Sequence, residues 1–144
     1  MPRPYTSGVV PAPPESVWGV LREFNGLSDW MPAIANSRLT TGSEGAPGAV
    51  RHLTLGDGGE LSEELLALDH DAMTLTYRIV GDNPFGVRRY VSTVRVAPLT
   101  MTGESFVEWW SEYDADAGAE EQLNQVFSKD IYEAAIRSLQ ERFG

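Results

Sequence analysis

The stretch that decides the fold is EEQLNQVFSKDIYEAAIRSLQERF, residues 120–143. Its apolar residues recur every three or four positions, the spacing that places side chains on one face of an α-helix. A helix of this length has more than six turns and is about 36 Å long at 1.5 Å per residue. We therefore predict one long amphipathic helix. Its apolar stripe consists of Leu123, Phe127, Ile131, Ala134, Ala135 and Leu139.

Strand-like segments precede this helix, at residues 6–10, 34–41, 48–55, 60–69, 73–81, 89–98 and 102–113. The last six are joined by short connectors rich in Gly, Asp, Asn and Pro, which are turn-forming residues. Short connectors force antiparallel neighbours, because a parallel crossover needs a dozen residues or more. After the first strand, Pro14 and the apolar spacing of Val17, Trp18 and Leu21 predict a short helix, and a second helical turn follows at 27–32.

These elements predict an α+β fold, in which a seven-stranded curved antiparallel sheet surrounds a long C-terminal helix, with two short helices after strand 1. Such a sheet buries its apolar face by curling around the helix. It leaves space where side chains do not meet, so we expect an internal cavity for a small, mostly apolar ligand. A length of 144 residues predicts a single domain over residues 1–144.

Composition excludes several classes of partner and cofactor. The chain has 11 Lys and Arg against 21 Asp and Glu, a formal net charge of −10. Such a surface repels phosphates and anionic lipids, so we expect neither nucleic acid nor membrane as a partner. Residues 1–14 lack the apolar stretch of a signal peptide, and no run approaches a membrane span, so we expect a cytoplasmic protein. Without cysteine there is no disulfide or thiolate. His52 and His70 lack neighbours at metal-ligand spacing, so we expect no metal and no cofactor.

The hairpin of residues 51–64 carries the candidate charged pair. With 56–59, Gly-Asp-Gly-Gly, as the turn, the numbers of paired residues sum to 115, so Arg51 faces Glu64. The face that holds both also holds the leucines and must look inward. Two interpretations stay open. The pair is either an internal ion pair, or a guanidinium directed at a ligand carbonyl or carboxylate and held by Glu64.

The same alternation of side chains along each strand, together with the apolar stripe of the helix, predicts the rest of the cavity wall. Aromatic walls with a few hydroxyl groups suit a planar, partly polar ligand, and a plain aromatic core is the alternative for each of these residues. Small residues on the helix favour a cavity, because they leave volume that leucine would fill. The predicted ligand-binding residues are Trp30 at the mouth, Leu53, Leu55, Ser62, Ile79, Ser92, Trp109, Ser111, Phe127, Ile131 and Ala135, together with Tyr77 and Tyr90.

A resemblance to a known superfamily covers nearly the whole chain. The stretches that carry it are 16–21 with Phe24, 30–32, 48–51, 57–58 with Glu64 and Asp69, 106–109 with Tyr113, and the terminal helix. In these stretches the chain resembles the START/Bet v 1-like (SRPBCC) superfamily, especially its bacterial polyketide cyclase/dehydrase-like branch. The resemblance implies the helix-grip fold and a small hydrophobic ligand, in a monomer or a homodimer.

The resemblance leaves two classes of function open. The first is a polyketide cyclase, aromatase or dehydratase of secondary metabolism that works without metal or redox cofactor. In that class Arg51 stabilises an enolate oxygen and Glu64 accepts a proton. Either Tyr77 or Tyr90 donates a proton. The second class, the alternative, is a non-catalytic carrier or sensor of a hydrophobic small molecule. Of the two we favour the enzyme.

Overall fold

A computed structural model describes residues 3–144 of the chain. Its seven strands are β1 (Tyr5–Val10), β2 (Ile34–Thr41), β3 (Val50–Leu55), β4 (Glu60–Asp69), β5 (Thr74–Val80), β6 (Arg89–Leu99) and β7 (Glu104–Asp114). They form one sheet in the order β1-β7-β6-β5-β4-β3-β2, and every neighbouring pair is antiparallel. The predicted strands agree with these bounds to within about two residues, the usual uncertainty of element ends.

Helical elements follow the first strand and the last strand of the sheet. Helix α1 (Pro14–Leu21) and a 3₁₀ helix (Phe24–Asp29) follow β1. After β7 and a 3₁₀ turn at Ala117–Ala119 come α2 (Glu120–Gln125), a π-helical segment (Val126–Glu133) and α3 (Ala134–Phe143). The last three run on without a break, so the predicted helix-grip architecture is confirmed. Within residues 3–144, no helix combines the length and the apolar composition that crossing a bilayer requires.

The C-terminal helix packs along the free edge of β1. The Thr6 hydroxyl donates a hydrogen bond to the Ser128 carbonyl at 2.5 Å, and the Gln140 amide donates to the Val9 carbonyl at 2.9 Å. Gly8 allows this close approach, because a Cβ there would lie 2.9 Å from Ile136 Cγ2. The helix thereby shields an edge that would otherwise present unpaired backbone groups.

The β3–β4 hairpin has a register one residue away from the predicted one. Arg51 lies opposite Glu63, and Glu64 lies opposite Val50. A shift of one residue moves every side chain of a strand to the other face of the sheet. The prediction that Arg51 and Glu64 are cross-strand partners is therefore wrong.

The turn itself explains the shift. The Leu55 N–H donates to the Gly59 carbonyl at 2.7 Å, and the Gly58 N–H donates to the Leu55 carbonyl at 3.0 Å. The loop therefore holds three residues, 56–58, and ends on Gly58 at φ +92°. This is the hairpin in which a tight turn is followed by one left-handed residue. Because the loop has three residues instead of the predicted four, each residue of β4 lies on the face opposite to the predicted one.

The second departure from the prediction lies in the terminal helix. In the π-helical segment the Ala134 N–H donates to the Lys129 carbonyl, five residues back. The wider turn moves the inward face on by one residue, so Tyr132 is fully buried and Ile131 is half-buried. The predicted stripe is therefore corrected in the middle of the helix. Its buried residues are Leu123, Phe127, Tyr132, Ala135, Ile136 and Leu139.

Candidate functional site

A small cavity lies between the concave face of the sheet, the 3₁₀ helix after α1 and the π-helical segment. It encloses about 30 Å³, which is room for about two water molecules. Its wall is apolar except for one carboxyl group and three aromatic residues with a polar atom. The lining residues are Leu27, Met31, Ile34, Leu53, Leu55, Leu61, Glu63, Tyr77, Ile79, Phe85, Tyr90, Trp109, Phe127 and Ile131.

Many of the residues predicted to line the cavity lie at this wall. They are Leu53, Leu55, Tyr77, Ile79, Tyr90, Trp109, Phe127 and Ile131. Ser92, Ser111 and Ala135 are fully buried behind the wall. Binding of a ligand by any of these residues stays a prediction, because the positions alone do not identify what the cavity holds.

Glu63 and Arg51 form a buried ion pair at one side of the cavity. The Arg51 Nε and Nη2 groups donate to Glu63 Oε1 at 3.0 and 2.7 Å. Arg51 Nη1 donates to the Phe24 carbonyl, and the guanidinium lies 4.0 Å from the centre of the Phe24 ring and 5.0 Å from that of Tyr77. Arg51 is held from several sides and is absent from the cavity lining. Arg51 therefore holds the carboxyl group in place, and any contact between Arg51 and a ligand stays a prediction.

Among the cavity-lining residues that the structure describes, Glu63 is the only charged one. Burial raises the pKa of this carboxyl above its ordinary value, and the charge and hydrogen bonds of Arg51 oppose the rise. Both Arg51 donors bond to Oε1, and within residues 3–144 no hydrogen bond is made to Oε2. A buried carboxyl group with one engaged oxygen can take up and release a proton.

Glu64 and Ser62 lie on the outer face of the sheet, which contradicts their predicted places in the cavity. The Glu64 carboxylate pairs with Arg78, with Nη2 and Oε1 2.7 Å apart. The Ser62 hydroxyl lies 3.1 Å from His52 Nδ1. The one-residue register difference is the reason. Glu63 takes the position predicted for Glu64, and the sequence signal that identifies it is the glycine at the end of a three-residue loop.

A buried hydrogen-bonded chain crosses the interior beside the cavity. The hydroxyl groups of Tyr90 and Tyr132 bond to each other, and the Tyr132 hydroxyl donates to Ser111 Oγ at 2.7 Å. The Tyr132 ring stacks on the Trp109 indole, with 5.6 Å between ring centres and 9° between planes. The predicted apolar stripe does not include Tyr132, because a pattern with a period of 3.6 residues does not detect the wider π-helical turn.

A second group of hydrogen bonds fixes the other aromatic residues. The Trp109 Nε1–H donates to the Tyr77 hydroxyl and to Ser92 Oγ, both at 3.1 Å. Burial raises the pKa of Tyr77 to about 12 and that of Tyr90 well above its ordinary value. These phenols are therefore neutral at ordinary pH, and their hydroxyl groups are already engaged.

A groove on the surface leads toward the cavity. Its volume is about 280 Å³, and it shares Leu55, Phe85 and Ile131 with the cavity wall. It runs between the β3–β4 turn and the π-helical segment, and its shared residues place it beside the cavity. Trp30, which we predicted at the mouth, is instead buried against Trp109, and its indole N–H has no hydrogen-bond partner within the described residues.

Comparisons with known proteins agree with this architecture. The family model described as "Polyketide cyclase / dehydrase and lipid transport" matches residues 1–144. The protein XoxI from Bacillus cereus is 34% identical, with a TM-score of 0.89 over 99% of this chain and 96% of that one. An uncharacterised protein from Bacillus thuringiensis is 33% identical, with a TM-score of 0.86 over 98% of each chain.

A more distant structure shares the fold alone. The Zhui aromatase/cyclase from Streptomyces sp. R1128 has 17% identity and a TM-score of 0.82 over 97% of this chain and 92% of that one. A search of curated proteins finds no match.

Proposed function

Since the chain belongs to the polyketide cyclase/dehydrase and lipid transport family, a branch of the START/Bet v 1-like superfamily, we propose that it binds a small, mostly apolar molecule in its interior and acts on it as a cyclase/aromatase-like enzyme. The observation that carries this proposal is the Glu63 carboxyl group in an otherwise apolar wall. Apolar burial supplies affinity without specificity. The carboxyl group supplies the acid–base chemistry that ring closure of an enolisable molecule needs.

The chemistry is a proton transfer through Glu63. The ionised carboxyl removes a proton from the carbon next to a substrate carbonyl, and the resulting enolate carbon attacks a second carbonyl of the same molecule. The new alkoxide then takes the proton back from Glu63, so the carboxyl group is regenerated. Arg51 acts as a positioning residue, because its two hydrogen bonds fix the carboxyl plane. Loss of the new hydroxyl group as water, with a hydrogen from the neighbouring carbon, and enolisation of the remaining ring carbonyl groups then give the aromatic ring.

The alternative is a carrier or sensor, and one observation favours it. The Tyr90 hydroxyl, one of the two predicted proton donors, is already bonded to Tyr132. In an enzyme Glu63 would therefore have to return the proton without help from Tyr90. In a carrier Glu63 would recognise a polar atom of the ligand and would transfer no proton.

The two functions are separated by deuterium exchange with 1-tetralone, a flat, mostly apolar and enolisable ketone. If the protein is an enzyme of the proposed kind, it should speed the exchange of the protons next to the carbonyl, measured by NMR in D₂O. Glu63→Gln, which keeps an oxygen acceptor for Arg51, should lower the rate to background. Glu64→Gln is the matched control on the outer face and should keep the full rate.

The pH profile gives a second measure of the same step. Only the ionised carboxyl group removes a proton, so the rate should rise with pH as Glu63 loses its own proton. Because burial raises the pKa of Glu63, the rise should come at a higher pH than for an exposed glutamate. Binding of 1-tetralone without exchange above background would contradict the enzyme and favour the carrier. Equal loss of rate in Glu63→Gln and Glu64→Gln would remove Glu63 from the mechanism.

A further inference from the structure

The cavity that borders Glu63 is too small for the molecules that the proposed function requires. It encloses about 30 Å³, whereas pockets for small molecules usually enclose ~300–1,000 Å³. The adjoining groove of about 280 Å³ is open to solvent, so a ligand is enclosed in the interior only if a side chain that now fills it leaves.

Tyr132 is the side chain whose surroundings fit a bound ligand. Its ring is completely buried and stacks on Trp109, and its hydroxyl bonds to Tyr90 and Ser111. Two of the residues that contact it, Tyr90 and Trp109, also line the cavity. Removal of this one side chain would therefore join its volume to the space beside Glu63.

The helix around Tyr132 has a second packing available to it. In the π-helical segment the inward side chain of Tyr132 comes five positions after that of Phe127. If this turn tightened to α-helical geometry, Ile131 would take the inward place, four residues after Phe127. Tyr132 would then turn by about 100° around the helix axis and leave the interior. Ile131 already lies at the border of the cavity and the groove.

We propose that the ligand is a planar hydroxylated aromatic ring that replaces the ring of Tyr132 between Trp109 and the helix. This inference rests on the proposed function, because it identifies the class of molecule that the same interior binds. Departure of Tyr132 leaves the hydroxyl groups of Tyr90 and Ser111 buried and without their partner, and unpaired buried polar groups are unfavourable. A ligand hydroxyl at the same place restores both hydrogen bonds, whereas an apolar ring of the same size does not.

The direct experiment follows the Tyr132 ring by NMR in the unmodified protein, with ¹³C-labelled tyrosine and 2-naphthol as the probe. Stacking on Trp109 gives the ring resonances an unusual position, which assignment by Tyr132→Phe identifies. On saturation with 2-naphthol, the Tyr132 resonances should move to the values of a solvent-exposed tyrosine. Saturable binding that leaves these resonances unchanged would overturn the inference and leave the proposed binding function intact.

Affinity for 2-naphthol and for naphthalene tests the role of the hydroxyl. We expect 2-naphthol to bind at least about tenfold more tightly, as one buried hydrogen-bonding site can provide. Ser111→Ala should reduce this ratio by raising the affinity for naphthalene, because bound naphthalene then leaves one buried hydroxyl group fewer without a partner. Equal affinities in the unmodified protein would contradict the inference. If neither probe binds to the unmodified protein or to Tyr132→Ala, the proposed function itself fails.

Deletion of Lys129 tests whether the π-helical turn is needed. The deletion shortens the spacing from Phe127 to Tyr132 from five positions to four, so a regular α-helix would keep the tyrosine ring inside. Affinity for 2-naphthol should fall at least about tenfold. Lys129→Ala removes the same exposed charge without shortening the chain and should bind as the unmodified protein does. Unchanged affinity in the deletion variant would contradict the inference, and if that variant does not fold, the NMR measurement still decides.

Discussion

At the scale of the residue, the decisive pair is Glu63 with Arg51. Both side chains are almost completely withdrawn from water, with exposures of 8% and 3%. Transfer of two charges into the interior is unfavourable unless each finds its partner. Arg51 also bonds to the Phe24 carbonyl and lies over the Phe24 ring. The pair therefore couples the sheet to the 3₁₀ helix, and its removal affects stability as well as chemistry.

Neighbouring glutamates on β4 allow a controlled test of this pair. Glu63→Ala leaves a buried guanidinium without its carboxylate and should lower the free energy of unfolding by about 3–5 kcal/mol. Glu64→Ala removes only an outer-face pair with Arg78 and should lower it by about 1 kcal/mol or less. Urea unfolding followed by circular dichroism measures both. The double variant Arg51→Met/Glu63→Leu should be more stable than Glu63→Ala, and equal losses in the two single variants would contradict the observed register.

At the scale of the element, the sequence predicted what depends on side-chain periodicity and missed what depends on a single backbone turn. Seven strands and one terminal helix follow from periods of about 2 and 3.6 residues, which extend over many positions. The face of β4 depends on whether its turn has three or four residues. The inward side chain of the terminal helix depends on one extra residue within a π-helical turn. Neither feature alters the apolar pattern, so Glu64 and Ile131 were predicted where Glu63 and Tyr132 lie.

The β3–β4 turn can be tested by substitution of its glycines. Gly58 has φ +92°, a conformation that a residue with a Cβ adopts at a cost of about 1–2 kcal/mol. Gly58→Ala should therefore lower the free energy of unfolding by that amount. Gly56 has no positive φ, and its nearest neighbour to an added Cβ is the Ala33 carbonyl at 4.0 Å. Gly56→Ala should change stability by less than about 0.5 kcal/mol in the same assay. Similar losses in the two variants would argue against a left-handed residue at the end of the loop.

At the scale of the whole molecule, the interior is organised around neutral phenols. Tyr77, Tyr90 and Tyr132 are buried, and burial is the first cause that raises the pKa of each. Their hydroxyl groups hold the sheet and the terminal helix together through Trp109 and Ser111. Ionisation of any one of them would place a negative charge in an apolar region, and for Tyr77 and Tyr90 the charge of Glu63 opposes it as well. The fold is therefore compatible with only the protonated form of these side chains.

This predicts cooperative unfolding in alkali. Tyr77 has a pKa of about 12 in the folded chain against an ordinary value of 10.0. The folded state thus holds its proton more tightly than the unfolded state. Stability is fully present below pH ~10 and falls as pH rises toward ~12, by about 3 kcal/mol from Tyr77 alone. Tyr90 and Tyr132 act in the same direction.

The measurement is tyrosinate absorbance together with circular dichroism over the same pH range. We expect a gradual rise from the half-exposed Tyr5, and then a steep rise at the pH where the dichroism of the fold disappears. Tyr5→Phe should remove the gradual part and leave the steep step in place, because that phenol lies on the surface. Gradual ionisation of every tyrosine with an unchanged dichroism spectrum would show that the phenols are open to solvent, and the interior described by Tyr132, Trp109 and Tyr90 could not then exclude water.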